Sequence, residues 1–210
     1  MGEYSIAPLY DLFLFPFVWK LRRRILRYCI NEKYQSILDV CCGTGNQLKL
    51  LKKNGFSVTG VDLSSEMLQV SQKGKYAPDC RFEDASRMSF PDSRYELAMT
   101  TFALHEKEPE LSRAIIREMI RVVKPGGHIM LIDFHFTERS SFISKSIIRL
   151  IEWNAGGEHY ENFRRFIEAG GLPPLWDKLP LEQKDVQYTG MNSLGIFVLR
   201  NRKNIDAAGF

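Results

Sequence analysis

Between residues 36 and 134 the chain alternates short apolar runs with longer stretches of helical periodicity, and this alternation restricts its fold more than any other feature. Ser36–Val40 (SILDV), Ser57–Val61, Arg81–Glu83, Tyr95–Thr101 and His128–Phe134 read as strands. The segment after the first strand predicts a helix to about Asn54, which Gly55 can stop in a left-handed cap. Ser64 can cap the next helix, and Pro109 suits the first turn of another that runs to Val123 and ends at Lys124-Pro125-Gly126-Gly127. Strands joined by such crossovers run parallel in one sheet, and the helices must cover both of its faces.

Downstream, Phe142–Trp153 and Tyr160–Ala169 predict helices. Asp185–Thr189 and Leu194–Leu199 are separated only by Gly190-Met191-Asn192, which predicts an antiparallel hairpin. The expected fold is therefore α/β: a Rossmann-like seven-strand mixed sheet with helices on both faces and a C-terminal antiparallel hairpin. With 210 residues, 44% of them hydrophobic, the chain can bury one substantial core, so residues 1–210 read as a single domain. Its expected parts are an N-terminal helical lid (1–33), a cofactor-binding core (34–135), a helical insertion on the substrate side (136–175) and the hairpin (176–210). In the lid, Leu9, Leu12, Phe13, Phe17, Leu21, Ile25 and Tyr28 recur at helical spacing, with Pro16 expected to divide the stretch into two helices.

Net charge is +4, but Lys20, Arg22, Arg23, Arg24 and Arg27 concentrate it near the N-terminus. A nucleic-acid binder spreads its bases over a folded face, so no nucleic-acid partner is expected. The stretch 12–26 (LFLFPFVWKLRRRIL) joins an apolar segment to a basic one; docking on an anionic membrane is one reading, a lid helix with snorkelling bases the favoured one. Its apolar run is too short to span a bilayer. Cys29, Cys41, Cys42 and Cys80 form no CxxC pair and no zinc spacing with the histidines, which points to a reducing, cytoplasmic setting and to no metal site.

Chemistry concentrates at strand ends, where open parallel sheets bind ligands. Asp39-Val40-Cys41-Cys42-Gly43-Thr44-Gly45 leaves the first strand, and Gly43 and Gly45 permit close backbone approach. Asp62 follows the second strand, 17 residues after Gly45, where a carboxylate can accept both hydroxyls of a ribose. Glu83-Asp84-Ala85 follows the third and offers an acceptor for an adenine amine. Singly, Asp39 reads equally well as a structural acceptor and Asp62 as a turn residue; their order on consecutive strands favours a nucleoside.

These segments resemble a known family. ILDVCCGTGNQ (37–47), VDLSSEML (61–68), EDASRMSFPDSRYELAM (83–99) and RVVKPGGHIMLIDF (121–134) look like successive motifs of class I S-adenosylmethionine-dependent methyltransferases. The branch resembled is the ubiquinone/menaquinone C-methyltransferase one, which shares the Tyr10-Asp11 pair and the KPGG turn. The resemblance implies that S-adenosylmethionine is bound, its methionine part by the loop of Cys41, Gly43 and Gly45, and its ribose by Asp62. It implies Leu63 and Ala85 on the adenine faces, Asp84 at the amine, Asp39 acting through water or loop support, and Met67, Thr101 and Phe102 completing the lining. Cys41 departs from the pattern, standing where many members have the first glycine. A nicotinamide-linked oxidoreductase fits less well, since its third glycine would fall at Leu48. A non-catalytic nucleoside-binding or assembly protein is the other alternative.

His105 and His135, after the fourth and fifth strands, are candidate general bases, although packing beside the cofactor or lining the pocket without proton transfer is the favoured reading of each; His128 and His159 are weaker candidates. Aromatic residues of the lid and insertion, Tyr10, Phe17 and Tyr160 among them, predict a small apolar or aromatic methyl acceptor. The sequence leaves the acceptor's identity and the oligomeric state open.

Overall fold

The computed structural model describes residues 7–203, with side chains from Val18 onward. Its helices are α1 (Ala7–Glu32), α2 (Asn46–Lys53), α3 (Ser65–Ser71), α4 (Pro109–Val122), α5 (Phe142–Ala155) and α6 (Gly157–Glu168). Its strands are β1 (Ser36–Val40), β2 (Ser57–Asp62), β3 (Asp79–Phe82), β4 (Tyr95–Thr101), β5 (Val123–Phe134), β6 (Leu181–Thr189) and β7 (Leu194–Asn201). They form one sheet in the order β3-β2-β1-β4-β5-β7-β6. The first five are parallel, whereas β7 is antiparallel to both β5 and β6. Strand order reverses between β1 and β4, which places a crevice at their carboxyl ends.

Period-two alternation sends neighbouring residues to opposite faces. Leu38, Ala98, Ile129, Leu131, Phe197 and Leu199 join Ile115, Ile116 and Met119 of α4 and Phe163 and Phe166 of α6 in one buried layer. Ile37, Leu97, Met99, Met130, Ile132, Ile196 and Val198 join Leu21, Ile25 and Cys29 of α1 and Leu48 and Leu51 of α2 in the other. The run Ile129–Ile132 is continuously apolar because each successive residue serves a different layer.

Two expectations need correction. α1 runs unbroken through Pro16, since proline holds φ at a helical value and the helix continues at the expense of one N–H bond and some crowding of the preceding turn. Lys124–Gly127 does not precede β5 but lies within it as a bulge: Tyr95 pairs with Val123, and pairing resumes at Leu97 with His128. A Cβ on Gly127 would sit 2.8 Å from the Glu96 carbonyl oxygen, so only glycine permits that approach. The hairpin forms as expected, with Gly190, Met191 and Asn192 all at positive φ.

Gly60 in β2 marks the tightest contact beneath the crevice. A Cβ there would lie 2.7 Å from both Cys42 Sγ and Leu48 Cδ1 and 2.9 Å from Cys80 Sγ. Gly60→Ala is therefore expected to overpack the β2–α2 contact and lower stability by about 1–3 kcal/mol, read from the urea midpoint.

Candidate functional site: a crevice at the strand ends

The turn leaving β1 is wound left-handed at alternate residues: Cys41 has φ 59°, Gly43 52° and Gly45 67°. A residue with a Cβ costs about 1–2 kcal/mol in this region, which is why glycine is the easier choice where Cys41 stands. Phe102, just beyond β4, is also left-handed at φ 55° while its N–H donates to the Ile132 carbonyl at 2.9 Å. Strained backbone thus sits on both sides of the point where strand order reverses, a placement associated with ligand sites.

The two glycines serve different ends. A Cβ on Gly43 would meet nothing within 4 Å, so this position opens onto the crevice; one on Gly45 would lie 3.0 Å from Ser71 Cβ, so this position lets α2 pack against α3. Asp62 ties the turn down. Its Oδ2 accepts from the Gly43 N–H at 2.7 Å and its Oδ1 from the Ser64 N–H at 2.8 Å. A carboxylate has about four lone-pair sites, so each oxygen keeps capacity for a further donor, and the paired hydroxyls of a ribose match that capacity. Ser64 Oγ accepts from Met67 N–H at 3.2 Å, fixing the start of α3 as anticipated.

Leu63 is 59% exposed beside Asp62, an apolar side chain left open at a strand end. Ala85 is buried, and Asp84 is exposed with Oδ1 accepting from both N–H and Oγ of Ser86; those bonds lower its pKa. Asp39 is buried behind the turn. Burial first, then Cys80 and Asp62, push its carboxyl well above the usual range, against the pull of the Arg22 guanidinium. Burial likewise pushes the Cys41 thiol up to about 12, so it remains a neutral lining group. Thr101 Oγ1 is buried without a hydrogen-bond partner at the end of β4.

Beyond β4, His105 is 4% exposed and wedged between carboxylates. Its Nδ1 lies 2.6 Å from Asp133 Oδ1 and its Nε2 lies 3.5 Å from Glu152 Oε2. Burial opposes the charged ring, yet Asp133 and then Glu152 outweigh it and raise its pKa to about 10. Burial would raise Glu152, but its bonds to His105 and His159 bring it down to about 2. Asp133 also accepts from the N–H groups of Leu104, His105 and Phe134, so one buried carboxylate shapes the whole turn after β4. Burial would lower the pKa of Lys107 on the same turn, but Glu106, 2.7 Å away, and Asp62 outweigh it and raise it.

His135 lies elsewhere. It stacks on Tyr188 with ring centroids 5.8 Å apart, and burial lowers its pKa. Its Nδ1 is enclosed without a partner, at the spot a Cβ on Gly171 would reach within 2.8 Å. Tyr160 packs on Phe163 in the aromatic group around His105. The side chains of Tyr10 and Phe17 lie outside the described residues. Sequence reasoning passed over Glu152 and put little weight on His159. The signal available was the lone acid of its helix at position 152, seven residues before a histidine that follows a Gly-Gly break.

Comparison with known proteins bears on the family and the fold. Residues 37–127 match the family described as "Methyltransferase domain". The demethylmenaquinone methyltransferase of Listeria welshimeri is 32% identical over 141 residues, covering 61% of this chain and 59% of that protein. The 2-methyl-6-phytyl-1,4-hydroquinone methyltransferase of Synechocystis is 30% identical over 154 residues, covering 65% of this chain and 46% of that protein. The chain thus spans about half to three-fifths of the length of the curated relatives it matches. The crystal structure of magnesium protoporphyrin IX methyltransferase from Synechocystis with bound SAH superposes with a TM-score of 0.61 at 14% identity, covering 86% of this chain and 82% of that one, and so supports the fold. Residues 37–127 thus match a methyltransferase domain, and the fold is one shared with solved S-adenosylmethionine-dependent methyltransferases. Its relatives therefore include methyltransferases named for demethylmenaquinone and for a phytyl hydroquinone.

Proposed function

We propose that the chain transfers the methyl group of S-adenosylmethionine to a lipophilic aromatic small molecule of the quinol kind. The observation that carries the first half is the Asp62 carboxylate, held by two loop N–H groups with capacity left for two hydroxyls. The sulfonium brings an already activated methyl group; the chain's residues have to bind, align and exclude water, and alignment alone is worth about 7–11 kcal/mol. In this reading the Gly43 turn holds the amino-acid end, Leu63 and Ala85 flank the adenine, Asp84 accepts from its amine, and Asp39, Met67, Thr101 and Phe102 support the lining. His105 has both ring nitrogens facing carboxylates, which suits a positioning role on the β4 turn better than free proton uptake. His135 is then the candidate base, being held toward its neutral form.

The acceptor class rests on α5. Phe142 is 79% and Trp153 62% exposed, and Ile143, Ile147 and Leu150 extend the same apolar surface. Lys145 and Arg149 lie over the Phe136 ring, so cations border it. The named relatives act on a demethylmenaquinone and on a phytyl hydroquinone, which are lipophilic rings. Peripheral membrane contact belongs to this proposal through α5 rather than α1, where Leu21 and Ile25 are already buried on the sheet. Among the described residues no helix is long and apolar enough to cross a membrane.

Mass spectrometry of products from a panel of reduced quinones and polar acceptors tests the reading. Methylation of polar acceptors with none on lipophilic rings would remove it. Replacing Phe142 and Trp153 together by serine is expected to raise KM for a lipophilic acceptor about tenfold or more while leaving S-adenosylmethionine affinity unchanged in calorimetry, as two large apolar contacts are lost.

A further inference from the structure

Two imidazoles and a buried carboxylate converge beyond β4 in the composition of a metal-ligand set. Glu152 is 2% exposed, and its Oε2 receives two imidazoles: His159 Nε2 at 2.6 Å and His105 Nε2 at 3.5 Å. Ligand atoms of His105, Glu152 and His159 all lie within 4.8 Å of one another. They come from three elements, the turn after β4, α5 and the first turns of α6, so the fold rather than local sequence assembles them.

The second feature is what lies behind each ring. His105 Nδ1 faces Asp133 Oδ1 at 2.6 Å, and His159 Nδ1 faces Glu106 Oε2 at 3.5 Å. Both histidines therefore turn Nε2 inward to the same carboxylate and Nδ1 outward to another. Such carboxylate–histidine pairs fix the tautomer and aim of a metal-ligating ring. Three carboxylates face two imidazoles here; Lys107 pairs with Glu106 at 2.7 Å, and a dication held by neutral rings balances the remaining two.

We propose that His105, Glu152 and His159 form a binding site for a first-row divalent metal ion of the zinc type, with Asp133 and Glu106 as the supporting carboxylates. Two imidazole nitrogens and one carboxylate oxygen are the ligand set of open, three-protein-ligand zinc sites. Bonds of about 2.0–2.2 Å in a tetrahedral site separate neighbouring ligand atoms by about 3.3 Å. The 3.5 Å pair already has that spacing, and the 2.6 Å pair opens by less than about 1 Å to reach it. The remaining position takes water or an oxygen ligand from the side of His159, whose side chain is 32% exposed. An ion there cross-links α5 and α6 to the β4 turn, independently of methyl transfer.

The test is titration of the full chain, stripped with a chelator, with cobalt(II) alone, followed by visible absorption and by dialysis equilibrium. One cobalt per chain with the intense absorption of a four- or five-coordinate ion, displaced by zinc, is the expected result. His159→Ala, at the open side of the group, and Glu152→Gln should each lose the bound ion, and Asp133→Asn should weaken it about 10- to 100-fold. His128→Ala, remote from the group, should leave it unchanged. No stoichiometric cobalt uptake by the unaltered chain would overturn the site, as would uptake that His159→Ala leaves intact, with circular dichroism confirming that the variant is folded. Because no S-adenosylmethionine or acceptor is present, failure here leaves the methyl-transfer reading untouched.

Discussion

Replacing Asp62 by alanine should weaken S-adenosylmethionine binding by between about a hundredfold and ten-thousandfold in calorimetry. The carboxylate is positioned to accept two ribose hydroxyls, and each charge-assisted bond is worth about 1.5–3 kcal/mol, where every 1.4 kcal/mol is a factor of ten. Its oxygens also accept from the Gly43 and Ser64 N–H groups, so the alanine variant frees the glycine turn as well as removing the ribose contact. Asp62→Asn separates these effects. The amide keeps the shape and one acceptor, so one of the two loop N–H bonds survives; most of the affinity should still be lost, while the thermal midpoint should lie between those of the alanine variant and the unaltered chain. Affinity for S-adenosylmethionine unchanged in both variants would contradict the assigned role and take the nucleoside reading with it.

The reason Asp62 could be found from sequence is that strand, turn and acid are close in the chain and each obeys a local rule. Alternating apolar residues mark β1 and β2, left-handed positions favour Gly43 and Gly45, and Ser64 announces a helix start. The same holds for β4, for Pro109 opening α4, and for the Gly190 turn between β6 and β7. What local rules do not encode is the order of the last strands. That β7, rather than β6, lies against β5 rests on composition rather than on any turn or cap: Leu194–Leu199 is apolar and covered on both faces, while much of β6 is polar, exposed and suited to an edge. The proline in α1 misleads for a related reason, because the tertiary packing of Leu21, Ile25 and Cys29 helps sustain the helix that its local propensity would end. The His105 group was illegible for the plainest reason: its members stand 47 and 7 residues apart along the chain, and meet only when α5 and α6 fold back over the ends of β4 and β5.

The residue that ties the turn after β4 to the end of β5 is Asp133, and its removal is expected to have the largest effect on stability. It is 1% exposed at the end of β5, and its two oxygens take four donors: the N–H groups of Leu104, His105 and Phe134 and the ring Nδ1 of His105. Asp133→Ala orphans those buried donors and leaves the His105 ring without its closest counter-charge, and breaking a buried pair in this way costs about 3–5 kcal/mol. Against the usual total of about 5–15 kcal/mol for a domain, such a loss lowers the urea midpoint by a large fraction. Asp133→Asn should recover part of the loss, because its amide oxygen can still accept while its NH2 meets groups that have no lone pair to offer. Glu110→Ala serves as the surface comparison: its bond to Arg113 is solvent-exposed and worth under about 1 kcal/mol. If Asp133→Ala unfolded at the same urea concentration as Glu110→Ala, the turn after β4 would have to be held by its apolar neighbours Leu104 and Phe134, and the carboxylate would be incidental to it.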